Sequence, residues 1–78
     1  MANMFKTRYS LRYKQFLAAL CAAREDRGLT QVELAKKLRV TQSWVSKCER
    51  GSRRLDVVEL EIWCKALDTD VPTLLSSF

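Results

Sequence analysis

Two helix-start signatures in close succession constrain this 78-residue chain more than any other feature. Thr30 stands three residues ahead of Glu33, the spacing of a capping box, in which hydroxyl and carboxylate each satisfy the other residue's backbone N–H. Thr41 occupies the same position ahead of QSWVSKCER. Two starts so near each other leave room only for a short helix, a tight turn and a second short helix. Val32, Leu34, Ala35, Leu38, Val40, Val45 and Cys48 keep helical spacing through that turn, so they form the expected buried set. Left outside are Gln42, Ser43, Ser46, Lys47 and Arg50, which share one helix face. That face offers amides, hydroxyls and cations but no carboxylate, an inventory suited to donating to base acceptors and phosphates.

The flanking segments extend this pattern into an all-helical domain. A first helix from about Ser10 to Arg27 buries Tyr13, Phe16 or Leu17, Leu20 and Cys21 at spacings of three and four, and Gly28 ends it in a left-handed cap. The two middle helices span about Gln31 to Leu38 and Gln42 to Arg50, with Gly51 closing the second. A fourth begins at Asp56, whose capping partner is Glu59, and runs to about Leu67. Pro72 suits the first turn of a short fifth helix through Leu74 and Leu75. Residues 1–9 show no periodicity and carry Lys6 and Arg8, so a flexible basic arm is expected ahead of one domain over residues 10–78. Two glycines, one proline and 47% apolar residues favour a compact five-helix bundle over a disordered or β-rich chain. A core of this size is marginal, and self-association would help it.

These segments together resemble the lambda repressor/Cro-like, or xenobiotic-response-element-type, family of helix-turn-helix transcriptional regulators. The resemblance runs from REDRG at 24–28 through LTQVELA and VTQSWVSKCERG to RRLDVVEL and KAL. It implies that Gln31 contacts a phosphate and braces Gln42, the brace orienting Gln42 on a base edge, while Ser43 and Lys47 read bases in the major groove. It also implies a buried ion pair between Arg24 and Glu49 that ties the first helix to the recognition helix. One position departs from the family, Arg39, where glycine is usual because the residue closing the first motif helix is left-handed. Arginine there costs roughly 1 kcal/mol relative to glycine, and its charge could reach DNA or stay in solvent.

Charge is distributed as a DNA-binding module requires. The net charge is +5, and of 14 basic residues only Lys65 lies beyond Arg54, whereas Asp56, Glu59, Glu61, Asp68 and Asp70 all do. The chain is thus basic in front and acidic behind, which presents one end to a polyanion. Arg50, Ser52, Arg53 and Arg54 form a cationic loop running into a helix start, a phosphate clamp by charge and by free backbone N–H groups. Thr41 and Ser46 complete the expected contact set. Trp44 has two readings: packed against the loop before the fourth helix, or turned outward to a sugar or thymine methyl.

On the fourth helix, Val57, Leu60, Cys64 and Leu67 form the stripe assigned to the core, with Trp63 beside it. Val58, Ile62 and Ala66 form a second stripe, which together with Leu75 and Phe78 is the expected homodimer interface. Two recognition helices in successive grooves would then select a near-palindromic operator. The rival class is an antitoxin-type module, whose acidic and apolar back end would wrap a toxin protein. A basic RNA-binding domain is disfavoured, because no aromatic stacking platform is evident.

Other classes lack the residues they need. With no histidine, no paired carboxylate site and no phosphate-cradling glycine loop, nothing argues for an enzyme, a metal or a cofactor. Cys21, Cys48 and Cys64 lie far apart on apolar helix faces and read as small hydrophobes. No apolar run approaches a membrane span and MANMFKTRYS is too polar for a signal peptide, so a cytoplasmic protein is expected. No ligand domain is expected beyond Phe78, so concentration or a partner protein is expected to set occupancy.

Overall fold

A computed structural model describes residues 10–78, and the expected basic arm at 1–9 lies outside the described residues. Five helices follow in order: α1 (Leu11–Asp26), α2 (Gln31–Leu38), α3 (Gln42–Arg50), α4 (Val57–Ala66) and α5 (Val71–Leu75). Among the described residues there is no strand. Each helix begins at a short polar side chain that accepts from the backbone N–H three residues on, satisfying a donor the helix itself cannot reach. Ser10 accepts from Tyr13, Thr30 from Glu33, Thr41 from Trp44, Asp56 from Glu59 and Asp70 from Thr73. Both expected capping boxes close, with Glu33 Oε1 2.9 Å from Thr30 N and Glu59 Oε1 2.9 Å from Asp56 N.

Four helices end in the same left-handed turn. The residue after it donates to a carbonyl five positions back: Leu29 to Arg24, Val40 to Ala35, Ser52 to Lys47 and Thr69 to Cys64. The left-handed residues are Gly28 (φ 69°), Arg39 (φ 59°), Gly51 (φ 81°) and Asp68 (φ 55°). Arg39 therefore holds the conformation its position demands without a glycine's freedom. Gly51 is constrained twice, because a Cβ there would stand 2.8 Å from Leu17 Cδ1 on α1.

One core joins the helices, built from Leu20, Leu34, Ala35, Val45, Cys48, Leu60, Trp63, Cys64, Leu67 and Leu74. α3 packs on α1 and α2, α4 on α2 and α5, and α5 on α1, so α3 is held from behind with its polar face outward. Phe16 and Leu17 are both half-buried against this core, and Tyr13 is half-buried beside the Phe16 ring. Two expected core residues are exposed instead, Val32 at 49% and Val57 at 69%. Val57 shares the inner face of α4 but lies in its first turn, past the end of the core, whereas Val32 sits on the flank of α2, well round the helix from the buried Leu34 and Ala35. Trp63, beside the core stripe of α4, is wholly buried in the core. No helix among the described residues is long and apolar enough to cross a membrane.

Candidate nucleic-acid interface

Thr41 starts α3 and Gly51 ends it, and Val45 and Cys48 anchor its inner face in the core. The opposite face consequently points outward. Gln42, Ser43, Lys47 and Arg50 are exposed and Ser46 is partly so. Thr41 is also exposed, its hydroxyl oxygen accepting from Trp44 N at 3.1 Å.

A continuous polar chain supports the start of this face. The Gln42 amide nitrogen donates to Gln31 Oε1 at 2.7 Å, and the Gln31 amide nitrogen donates to Glu49 Oε1 at 2.9 Å. Glu49 is in turn gripped by Arg24, whose Nε lies 2.7 Å from Oε2 and whose Nη2 lies 3.2 Å from Oε1. Arg24 Nη1 donates to the Leu29 carbonyl at 2.6 Å, a partner with no signature in sequence. The side chains of this pair are only 10% and 5% exposed, and its hydrogen bonds hold the Arg24 guanidinium above its ordinary pKa. Arg24, Glu49, Gln31 and Gln42 thus form one relay from the interior to the surface.

The cationic loop is arranged differently from the expected clamp. Arg53 donates to both Glu59 oxygens, Nη1 to Oε1 at 3.1 Å and Nη2 to Oε2 at 2.8 Å, and its guanidinium covers the Trp44 ring at 4.9 Å. Its charge is therefore committed within the fold, where Glu59 joins a capping role to an ion pair. The N–H groups of Gly51, Ser52 and Arg53 bind carbonyls of α3 and are not free for phosphate. Arg54 is exposed and lies over the Tyr13 ring at 4.9 Å; Ser52 is exposed.

Trp44 takes the packed alternative. Its ring stands 6.1 Å from that of Trp63, under Arg53, so it braces α3 against α4 and leaves the outer face of α3 to polar residues. Of the residues expected at a dimer interface, Val58 (57%), Ile62 (53%) and Leu75 (40%) are exposed. Phe78 is not with them: it folds back on α1, 6.2 Å from the Phe16 ring, with Arg12 stacked over it at 4.3 Å. Stacking and an Arg12 hydrogen bond to its carbonyl offset the exposure an apolar residue would otherwise have there.

The three cysteines are free thiols, Cys48 and Cys64 buried and Cys21 partly so. Burial pushes all three thiols above their ordinary pKa, which disfavours the reactive thiolate. No cluster of metal-ligating side chains occurs among the described residues.

Comparison with known proteins agrees with this geometry. A family model described as a helix-turn-helix domain matches residues 15–77. Among solved structures, an XRE-family like protein from Pseudomonas syringae pv. tomato str. DC3000 is similar at 45% identity, covering 97% of this chain and 93% of its own, with a TM-score of 0.83. The clp gene regulator ClgR from Corynebacterium glutamicum is similar at 34% identity. One structure of it covers 86% of both chains with a TM-score of 0.78; another covers 86% of this chain and 71% of its own with a TM-score of 0.77. A search of curated proteins returned no match.

Proposed function

This chain belongs to the XRE/Cro-like helix-turn-helix family of DNA-binding transcriptional regulators, and we propose that it is a repressor that binds a near-palindromic operator as a homodimer. The observation that carries the reading is the Gln42 amide, exposed at the start of α3 and held in place through Gln31 and Glu49. A side chain held this way has already lost the rotamer freedom that a base contact would otherwise have to remove. Gln42, Ser43 and Lys47 read base edges in the major groove. Gln31, Thr41, Ser46, Arg50, Ser52 and Arg54 contact phosphates and set the register. Trp44 and Arg53 act from behind, as supports for the pose of α3.

The dimer is assigned to Val58, Ile62 and Leu75. Two of these are more than half exposed on a helix whose other face is in the core, and burying such a stripe against a second copy removes apolar surface from water. A two-fold pair would set two α3 helices roughly 34–36 Å apart, one turn of duplex. The protein works in the compartment that holds the DNA, the cytoplasm, and catalyses nothing.

Selection of bound duplexes from a random pool, together with sedimentation of the free protein, tests this. The expected result is a two-fold-symmetric motif with half-sites about one helical turn apart and a dimer in solution. Absence of any enriched motif would overturn the reading. A monomer that sediments as a dimer only with a different protein would reassign the stripe to a heterologous partner, such as a toxin.

A further inference from the structure

We propose that Glu49, almost wholly buried, fixes which way round the Gln42 amide is presented to a base, and thereby selects adenine over guanine at that position. This rests on the reading of Gln42 as a base contact. Both Glu49 oxygens take hydrogen bonds from Arg24, at 2.7 and 3.2 Å. With both oxygens already accepting from a guanidinium, Glu49 presents an acceptor to its next neighbour. The ends of a side-chain amide have nearly the same shape, so its neighbours decide which end points where. Facing an acceptor, Gln31 must turn its amino group inward, and it does so at 2.9 Å from Glu49 Oε1. Its carbonyl oxygen is then left facing Gln42.

Polarity passes one step further by the same logic. Gln31 Oε1 accepts from the Gln42 amide nitrogen at 2.7 Å, which takes one of the two protons on that nitrogen. Gln42 keeps one N–H and its carbonyl oxygen, in fixed order. Adenine offers an acceptor, N7, beside a donor, the N6 amino group, and is the complement of that pair. Guanine offers two acceptors, N7 and O6, and would need two donors. Gln42 has only one left. Arg24 is itself tied to the Leu29 carbonyl at 2.6 Å, so the first link of the relay is held on two sides.

Replacing Gln31 by a residue that only donates should reverse the relay. In Gln31→Lys the ammonium pairs with Glu49 and donates to the Gln42 carbonyl oxygen, so both Gln42 amide protons turn to the base. Duplex selection is run with the full chain, with Gln42→Ala to mark the position that Gln42 reads, and with Gln31→Lys. The marked position should shift from adenine to guanine in Gln31→Lys, with a change in their ratio on the order of tenfold, while the positions read by Ser43 and Lys47 stay as they are. Adenine retained there in Gln31→Lys would overturn the proposal.

If thermal melting shows Gln31→Lys unfolded, the double variant Arg24→Met/Glu49→Leu decides. It replaces the ion pair with apolar side chains of similar bulk, which buried pairs often tolerate, and it releases Gln31. Discrimination between the purines should then fall by on the order of tenfold at the marked position alone; unchanged discrimination would overturn the proposal. Should Gln42→Ala leave every position unaltered, the base contact itself is wrong and the proposal falls with it. That result differs from a marked position that ignores changes at Gln31 and Glu49.

Discussion

Two arginine–glutamate pairs tie α3 and its outgoing loop to the rest of the molecule, and their geometry is almost the same. In each, the glutamate takes two donors from one guanidinium and a third donor on Oε1. For Glu49 the third is the Gln31 amide, and for Glu59 it is the backbone N–H of Asp56. Their surroundings differ. The Arg24–Glu49 side chains are 10% and 5% exposed, against 40% and 27% for Arg53–Glu59. In water-accessible positions, screening leaves an ion pair little net effect. In the interior water cannot stand in for a lost partner, so each charge depends mainly on the other. Contact geometry alone does not say what a pair does for the fold; burial does.

The sharpest way to break this comparison is to remove one partner from each pair. Glu49→Ala leaves the Arg24 guanidinium inside without its carboxylate, at a cost of about 3–5 kcal/mol. A domain of this size then melts roughly 15 °C or more below the parent. Glu59→Ala should shift the melting point far less, although it also opens a capping box. If thermal unfolding followed by circular dichroism gave the two variants equal losses, burial would not be the deciding variable.

Helix ends offer a second, smaller test along the same seam between α1 and α3. Gly51→Ala must hold a side chain at φ 81° and also push against Leu17 Cδ1 at 2.8 Å. Gly28→Ala meets the backbone penalty alone, with nothing within 4 Å. Left-handed backbone costs a non-glycine residue about 1–2 kcal/mol, so Gly28→Ala should lose about that much and Gly51→Ala somewhat more, since the end of the Leu17 side chain must also move aside. Equal losses would mean that the Leu17 side chain turns aside for the methyl group without measurable cost. Arg39→Gly runs the other way, relieving strain at φ 59°, and should gain about 1 kcal/mol.

What could be read in the sequence follows the same division between local and non-local causes. Thr30, Thr41 and Asp56 were legible as caps because a cap and its partner lie three residues apart. The left-handed demand at Arg39 was legible from resemblance, and so was the pairing of Arg24 with Glu49. Asp68, in the same conformation at the end of α4, carried no comparable signal. Arg53 read as one more cation in a basic loop, because a pair formed across a turn leaves no periodic trace and Glu59 already had a capping role. Spacing also identified the inner face of α4 without showing where the core stops, which is why Val57 projects past it. Trp44 and Phe78 were settled only by neighbours distant in sequence, Trp63 for the first and Phe16 and Arg12 for the second.

The smallest effect, and the one that best isolates the exposed pair, is its response to acid. Arg53, and after it the Asp56 backbone N–H, hold the Glu59 carboxyl below its ordinary pKa. A group depressed in the folded state stabilises fully above its unfolded pKa, about 4.3 for glutamate. That contribution disappears as pH falls through the lower, folded value. In Glu59→Gln nothing titrates at this site, so the variant should melt slightly below the parent at pH 6 to 7. The two curves should draw together as the pH is lowered past 4. Some acid dependence must survive in the variant, because Glu33 and Asp70 are also held low, Glu33 by the Thr30 backbone and Asp70 by Thr73. A gap between parent and Glu59→Gln that stays constant down to pH 3 would show that the lost stability comes from the hydrogen bonds the two carboxyl oxygens accept and not from the charge. The exposed pair would then owe its effect to hydrogen bonding, and the contrast with the Arg24–Glu49 pair would be one of kind rather than of degree.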